Sequence, residues 1–155
     1  MSHEAEAENR KRRKTSPSVE QYVESIAQLL RQDRVTNVSD IADACGVSRP
    51  AASRSVRELV EKGLAEHKAY GYVTLTPEGQ ALAERLFARH EILRRFIEEV
   101  LQFDSDFADL EACRLEHVLE DTLVNRIEKL SGFLLDSPAL SARLRKALKK
   151  GLGNP

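Results

Sequence analysis

The residues most able to do chemistry lie in the run Glu111-Ala-Cys-Arg-Leu-Glu-His117. On a helix, Cys113, Glu116 and His117 stand at i, i+3 and i+4, so a thiol, a carboxylate and an imidazole share one face. Three donor types on one face suit a transition metal. Thiolate with imidazole favours ferrous iron, zinc or cobalt, whereas oxygen donors with imidazole favour manganese. Gln21 and Glu24 stand one turn apart on a first helix, and His90 lies on an otherwise apolar helical face. Each residue also has a plain structural explanation: Cys113 as a small core residue, Glu116 and His117 as surface or capping residues, His90 as a hydrogen-bonded core histidine. A metalloenzyme with Glu116 or Glu120 as its base would need a nucleophile, phosphate loop or substrate-binding signature beside it, and the sequence supplies none.

The elements that must position these donors are mainly helical. From Ser18, a candidate N-cap, Val19, Tyr22, Val23, Ile26, Leu29 and Leu30 recur at helical spacing to about Gln32. Ser39 is placed to cap a short helix with Ile41, Ala42 and Cys45 facing inward. Gly46 then takes a positive φ, and Ser48 caps the next helix with Pro50 in its first turn. In that second helix Ala52, Val56, Leu59 and Val60 form the apolar stripe. Arg49, Ala51, Ser53, Arg54 and Arg57 form a small, basic opposite face able to enter a major groove. Residues 63–75 read as a strand, a tight turn at Tyr70-Gly71 and a second strand, which makes a wing. Ser39, Ser48, Pro50, Lys68 and Tyr70 complete the expected DNA-contacting set.

Thr76-Pro77-Glu78 opens a long amphipathic helix reaching Leu101, with Leu82, Leu86, His90, Leu93, Phe96, Ile97 and Val100 on or near one face. Further helices are expected over 105–119, 122–134 and 138–149. The expected fold class is mainly α: an N-terminal winged helix-turn-helix with a two-stranded wing, a long linker helix and a C-terminal helical dimerisation domain. The expected domains are a disordered basic arm over 1–16, the DNA-binding domain over 17–78, and the linker helix with the metal-binding and dimerisation domain over 79–155.

Charge is segregated along the 155 residues although the net charge is only −1. Arg10 to Lys14 is basic, Glu98 to Asp121 is acidic and relieved only by Arg114, and Arg143 to Lys150 is basic again. The first run fits a phosphate-contacting arm or a solvated tail. No stretch approaches the roughly 20 apolar residues of a membrane span, and the charged N-terminus lacks the apolar centre of a secretion signal. A cytoplasmic protein without membrane contact is expected. Cys45 and Cys113, far apart in a reducing compartment, argue against a disulfide framework.

From Pro17 to about Ile127 the chain resembles the diphtheria toxin repressor and manganese transport regulator family. The resemblance rests on Tyr22 to Ile26, Val38-Ser-Asp-Ile-Ala, Ser48-Arg-Pro-Ala-Ala-Ser-Arg, the wing, Leu75-Thr-Pro-Glu-Gly79, Arg89-His-Glu91 and Glu111-Ala-Cys-Arg-Leu-Glu-His-Val118. It implies a homodimeric repressor of metal-uptake genes that binds double-stranded operator DNA when loaded with ferrous iron or manganese. The length resembles the manganese-type branch, without the SH3-like third domain of iron-type members. By position, the resemblance implies metal ligands at Gln21, Glu24, His90, Cys113, Glu116 and His117.

The set is a hybrid. Gln21 stands where manganese-type members have an aspartate and iron-type members a methionine. Cys113 matches the iron type, and Glu24 matches the manganese type. Arg94 stands where family members often have an acidic residue one turn beyond the linker-helix histidine, and Asp109 replaces a histidine of the iron-type ancillary site. Ferrous iron is the expected ion, with manganese second. Ligands drawn from the first helix, the linker helix and the following helix imply that metal fixes the DNA heads for operator binding. The alternative is a winged-helix regulator answering to a small organic ligand or a partner protein, with Cys113 and His117 structural.

Overall fold

A computed structural model describes residues 17–33 and 35–151. The expected arm, including Arg10 to Lys14, lies outside the described residues, as does the side chain of Ser18. The chain divides into two compact units, the first ending at Leu86 and the second beginning at Phe87.

In the first unit, helix α1 (Pro17–Asp33) buries Val19, Tyr22, Val23, Ile26 and Ala27, the face its apolar spacing predicts. Strand β1 (Thr36–Asn37) leads into α2 (Val38–Cys45), and α3 (Arg49–Glu61) follows. Asn37, not Ser39, caps α2. Its Oδ1 accepts from the Ser39 and Asp40 backbone N–H groups at 2.8 and 3.2 Å, and the Asp40 carboxylate accepts the Asn37 N–H in return at 3.1 Å. This reciprocal box starts the helix two residues earlier than a Ser39 cap would. Gly46 adopts φ 64° in the turn, and Ser48 Oγ accepts from the Ala51 N–H, so both of those expectations hold. Ile41, Val56, Leu59 and Val73 are fully buried with Val23 and Ile26, and they tie the three helices to the sheet.

Strands β2 (Ala65–His67) and β3 (Tyr72–Leu75) make the wing, with His67 opposite Val73 and Ala65 opposite Leu75. β1 pairs with the other edge of β3, giving a three-stranded antiparallel sheet in the order β1-β3-β2. Thr36-Asn37 is too short for alternation to reveal it in sequence. Helix α4 (Pro77–Arg95) follows β3. Thr76 Oγ1 donates to the Gly63 carbonyl at 2.6 Å and accepts from the Gly79 N–H at 3.1 Å. Gly79 is required there: a Cβ would lie 1.9 Å from the Leu64 carbonyl oxygen.

The linker helix is not α-helical to Leu101. It widens to a π turn over Phe96–Val100, closed by the Leu101 N–H donating to the Phe96 carbonyl, and ends at Gln102 with φ 65°. The wider turn buries both Ile97 and Val100. In the second unit, α5 (Ser105–Leu115) is capped by Asp104, and α6 (Asp121–Leu135) and α7 (Pro138–Gly151) follow. Leu93, Ala112 and Val124 form the core of this unit, with Ile92, Leu115, Leu119 and Ile127 packed around them. Helix α5 is shorter than expected, and a turn runs over Glu116–Val118.

Candidate metal centre and DNA-reading face

Glu116 is the hub of the donors in the second unit. It sits at the C-cap of α5 with helical backbone angles, its N–H donating to the Ala112 carbonyl, so the i, i+3 relation to Cys113 survives the end of the helix. The side chain is only 2% exposed, and each carboxylate oxygen faces an imidazole. His90 Nδ1 lies 3.1 Å from Oε2, and His117 Nε2 lies 3.5 Å from Oε1. Burial pushes the Glu116 carboxyl above its usual range, opposed by the positive charge that His90 and His117 can carry. The other ring nitrogen of His90, Nε2, lies 3.0 Å from Asp109 Oδ1 at the protein surface.

Four expected ligands belong to this unit. His90, Glu116 and His117 come together, and Cys113, one turn before Glu116, is exposed. Gln21 and Glu24 belong to the first unit, on α1, where Gln21 is exposed and Glu24 half-buried. Asp109 was not expected as a partner of His90. Its spacing of four from Cys113 and seven from Glu116 places it on the same helical face, which is the signal that could have found it.

Arg89 is a second residue the sequence reading passed over. Its Nη2 donates to the carbonyls of Glu116 and Leu119 at 2.6 and 2.5 Å, and its Nη1 pairs with the Asp121 carboxylate. One guanidinium thus satisfies carbonyls at the end of α5 and fixes the turn that carries Glu116 and His117 against α4. The motif Arg89-His-Glu91 carries part of the family resemblance, but helical spacing alone assigns Arg89 no role.

A divalent cation fits this donor set. A buried carboxylate flanked by two imidazoles, with a further carboxylate on one of them and a thiol one turn away, offers oxygen, nitrogen and sulfur donors. The alternative cation is a proton, which the carboxyl already favours through its burial.

In the first unit, α3 buries Ala52, Val56 and Leu59. Arg49, Pro50, Arg54 and Arg57 are exposed on it, and Ala51 and Ser53 are half-buried. Arg49 and Arg54 have no ion pair among the described residues, whereas Arg57 Nε donates to the Ser53 carbonyl. Lys68 of the wing pairs with Glu66, and Tyr70 at the wing tip is almost wholly exposed.

The family described as iron dependent repressor, metal binding and dimerisation domain matches residues 76–155, and the MarR family matches residues 26–69. The HTH-type transcriptional regulator MntR of Bacillus pumilus is 32% identical over 138 residues, covering 88% of this chain and 94% of that protein. The chain belongs to this family of metal-dependent transcriptional repressors. Among solved structures, a manganese-dependent transcriptional repressor in complex with manganese is 34% identical with a TM-score of 0.66, covering 74% of this chain and 53% of the other. The manganese regulator SloR is 31% identical with a TM-score of 0.64, covering 72% and 52%. The chain therefore spans about half the length of these two solved relatives. Membership accounts for a helix-turn-helix and wing in one unit and a cluster of candidate donors in the other. Among the described residues, no helix is long and apolar enough to cross a membrane.

Proposed function

We propose that this chain is a divalent-metal-dependent repressor of metal-homeostasis genes, acting in the cytoplasm as a homodimer on double-stranded operator DNA. The observation that carries the metal reading is Glu116, buried to 2% exposure with an imidazole on each oxygen. His90, Cys113, Glu116 and His117 are the proposed ligands in the second unit, with Asp109 orienting His90. Gln21 and Glu24 are added as ligands on the strength of the family resemblance. Ferrous iron is the favoured ion because Cys113 offers a thiolate, and manganese is second. A bound divalent cation would supply positive charge that favours the ionised form of Glu116.

The remaining roles fall to the chain's own residues. Arg89 holds the turn that carries Glu116 and His117. Arg49, Ala51, Ser53, Arg54 and Arg57 face the major groove, with Ser39, Ser48 and Pro50 at the helix starts and Lys68 and Tyr70 on the wing. Phe103, Phe107, Leu110, Val118 and Phe133 are exposed apolar residues of the second unit and supply the surface for dimerisation.

Thermal unfolding with anaerobic ferrous iron, manganese, zinc or chelator tests the site. At a hundred-fold excess of free metal over Kd, loading adds roughly 2.7 kcal/mol to the wild type. Glu116→Gln and His117→Ala are expected to lose most of that gain, whereas equal gains in all three proteins would refute the assignment.

A further inference from the structure

In the second unit, the end of the linker helix borders a cavity of about 320 Å³. Glu98 and Glu99 of the π turn and Gln102, the left-handed residue that follows it, supply one part of the lining. Leu135 at the end of α6 and Ser141, Leu144 and Arg145 of α7 supply the rest. The volume is at the lower end of the range of small-molecule sites, roughly 300–1,000 Å³. None of the proposed metal ligands lines it.

Opposite charges share this space without meeting. Glu98 is paired with Arg94 and Glu99 with Arg95, and neither arginine lines the cavity. Arg145 Nε donates to the Ser141 carbonyl at 3.3 Å, whereas its Nη1 and Nη2 have no partner among the described residues. Each of these three charged groups is tethered by a contact to a residue four positions earlier in its own helix. The tethers keep the guanidinium and the carboxylates from closing on one another, so the charges are held ready for something that enters between them. Ser141 is buried, and its hydroxyl donates to the Leu134 carbonyl at 2.7 Å, which fixes the start of α7 to the end of α6. Gln102 Nε2 donates to the Glu99 carbonyl at 2.6 Å and pins the other wall. The π turn that carries both glutamates is a rare backbone form that recurs at functional sites.

We infer that this cavity binds a small zwitterion, a free α-amino acid with an apolar side chain. The ammonium group of the ligand donates to Glu98 and Glu99, its carboxylate accepts from the Nη groups of Arg145, and its side chain lies along Leu135 and Leu144. This adds an organic ligand to the metal and DNA proposed above, at residues that serve neither, and it stands whether or not metal binds at Glu116.

Isothermal titration of the full-length protein, metal-loaded and in chelator, tests the site with leucine, valine and methionine. At least one is expected to bind with a Kd of about 1 mM or tighter. For the one that binds best, the amide, which lacks the carboxylate, and the corresponding carboxylic acid, which lacks the amine, should each bind about ten-fold more weakly or worse, on the scale of one charge-assisted hydrogen bond. Arg145→Gln, at an exposed position, should lose about as much affinity and no longer distinguish the amino acid from its amide. Glu99→Gln, also exposed, should lose discrimination against the acid. Arg143→Gln, exposed on α7 outside the cavity, should bind as the wild type does. Absence of binding by all of the amino acids, undiminished binding of the amide or the acid, or wild-type affinity in Arg145→Gln would each overturn the inference. Equal losses in Arg143→Gln and Arg145→Gln would show a general effect of charge, and heat seen only with metal present would show chelation of the ion; either result also overturns it.

Discussion

Replacing Arg89 by lysine separates two accounts of this side chain. If Arg89 acts through its ion pair with Asp121, whose side chain is 49% exposed, the pair is worth at most about 1 kcal/mol. Arg89→Lys and Asp121→Asn should then cost the same. The geometry ranks them differently. Nη2 donates to the carbonyls of Glu116 and Leu119 at 2.6 and 2.5 Å, and hydrogen bonds from a charged donor are worth about 1.5–3 kcal/mol each. One nitrogen serves both carbonyls, so the two are not additive, and a loss of roughly 2–3 kcal/mol is expected when the planar fork is replaced by an ammonium. That corresponds to a fall of roughly 4–12 °C in Tm, against about 4 °C or less for Asp121→Asn. Urea unfolding in chelator, followed by far-UV circular dichroism, measures both. Because the same guanidinium holds the turn of Glu116 and His117, Arg89→Lys should also weaken metal binding by about 10–100-fold, as loss of a residue supporting the ligands does. Equal losses of stability in the two variants, or unchanged metal affinity in Arg89→Lys, would refute the capping role.

Burial raises the Glu116 carboxyl above its ordinary value of 4.5, so the folded, metal-free protein holds this proton more tightly than the unfolded chain. The stability this contributes is fully present below 4.5 and is lost as pH rises through the raised folded value. In chelator, Glu116→Gln should therefore gain on the wild type as pH rises through that window, as read by urea midpoints from acid to neutral pH; a gap that narrows with pH contradicts it. Gly79→Ala should cost about 3 kcal/mol, because its Cβ would meet the Leu64 carbonyl oxygen at 1.9 Å. Gly46→Ala, which meets nothing within 4 Å but keeps φ 64°, should cost only about 1 kcal/mol, and thermal melts that reverse this order would undo both explanations. Cys113→Ser, at an exposed position, should leave metal-free stability within about 0.5 kcal/mol while weakening ferrous iron and zinc more than manganese in competition titrations. Equal loss for all three ions would remove the thiolate from the ligand set.

Much of the fold could be read from the sequence because local signals agreed with tertiary ones. Val23 and Ile26 of α1 and Val56 and Leu59 of α3 fall on single helical faces and are fully buried, and Gly46, Ser48 and Thr76 sit at the turns and caps their chemistry favours. The misses have local physical causes. Asn37 displaced Ser39 as the cap because it could form a reciprocal pair with Asp40, and Thr36-Asn37 became a strand only by pairing with β3. The π turn at Phe96–Val100 leaves the helical apolar pattern almost unchanged, so periodicity could not reveal it.

For the candidate site, helical spacing pointed to Cys113, Glu116 and His117 and apolar surroundings to His90, of which the structure brings His90, Glu116 and His117 together. Asp109 and Arg89 were missed because their roles depend on how α4 and α5 pack, which spacing along one helix does not encode. Arg89 in particular acts through backbone carbonyls, and those carry no residue identity.

The central claim is that metal bound at Glu116 and its neighbours licenses DNA binding. The most direct measurement is fluorescence anisotropy of a duplex that the metal-loaded wild type enriches from a random pool, against wild type and Glu116→Gln, in anaerobic ferrous iron, in manganese and in chelator. The wild type should bind at least ten-fold more tightly with metal, the usual range of a coupling between two sites, and Glu116→Gln should bind weakly in all three conditions. Wild-type binding that is as tight in chelator as in either metal would contradict the account.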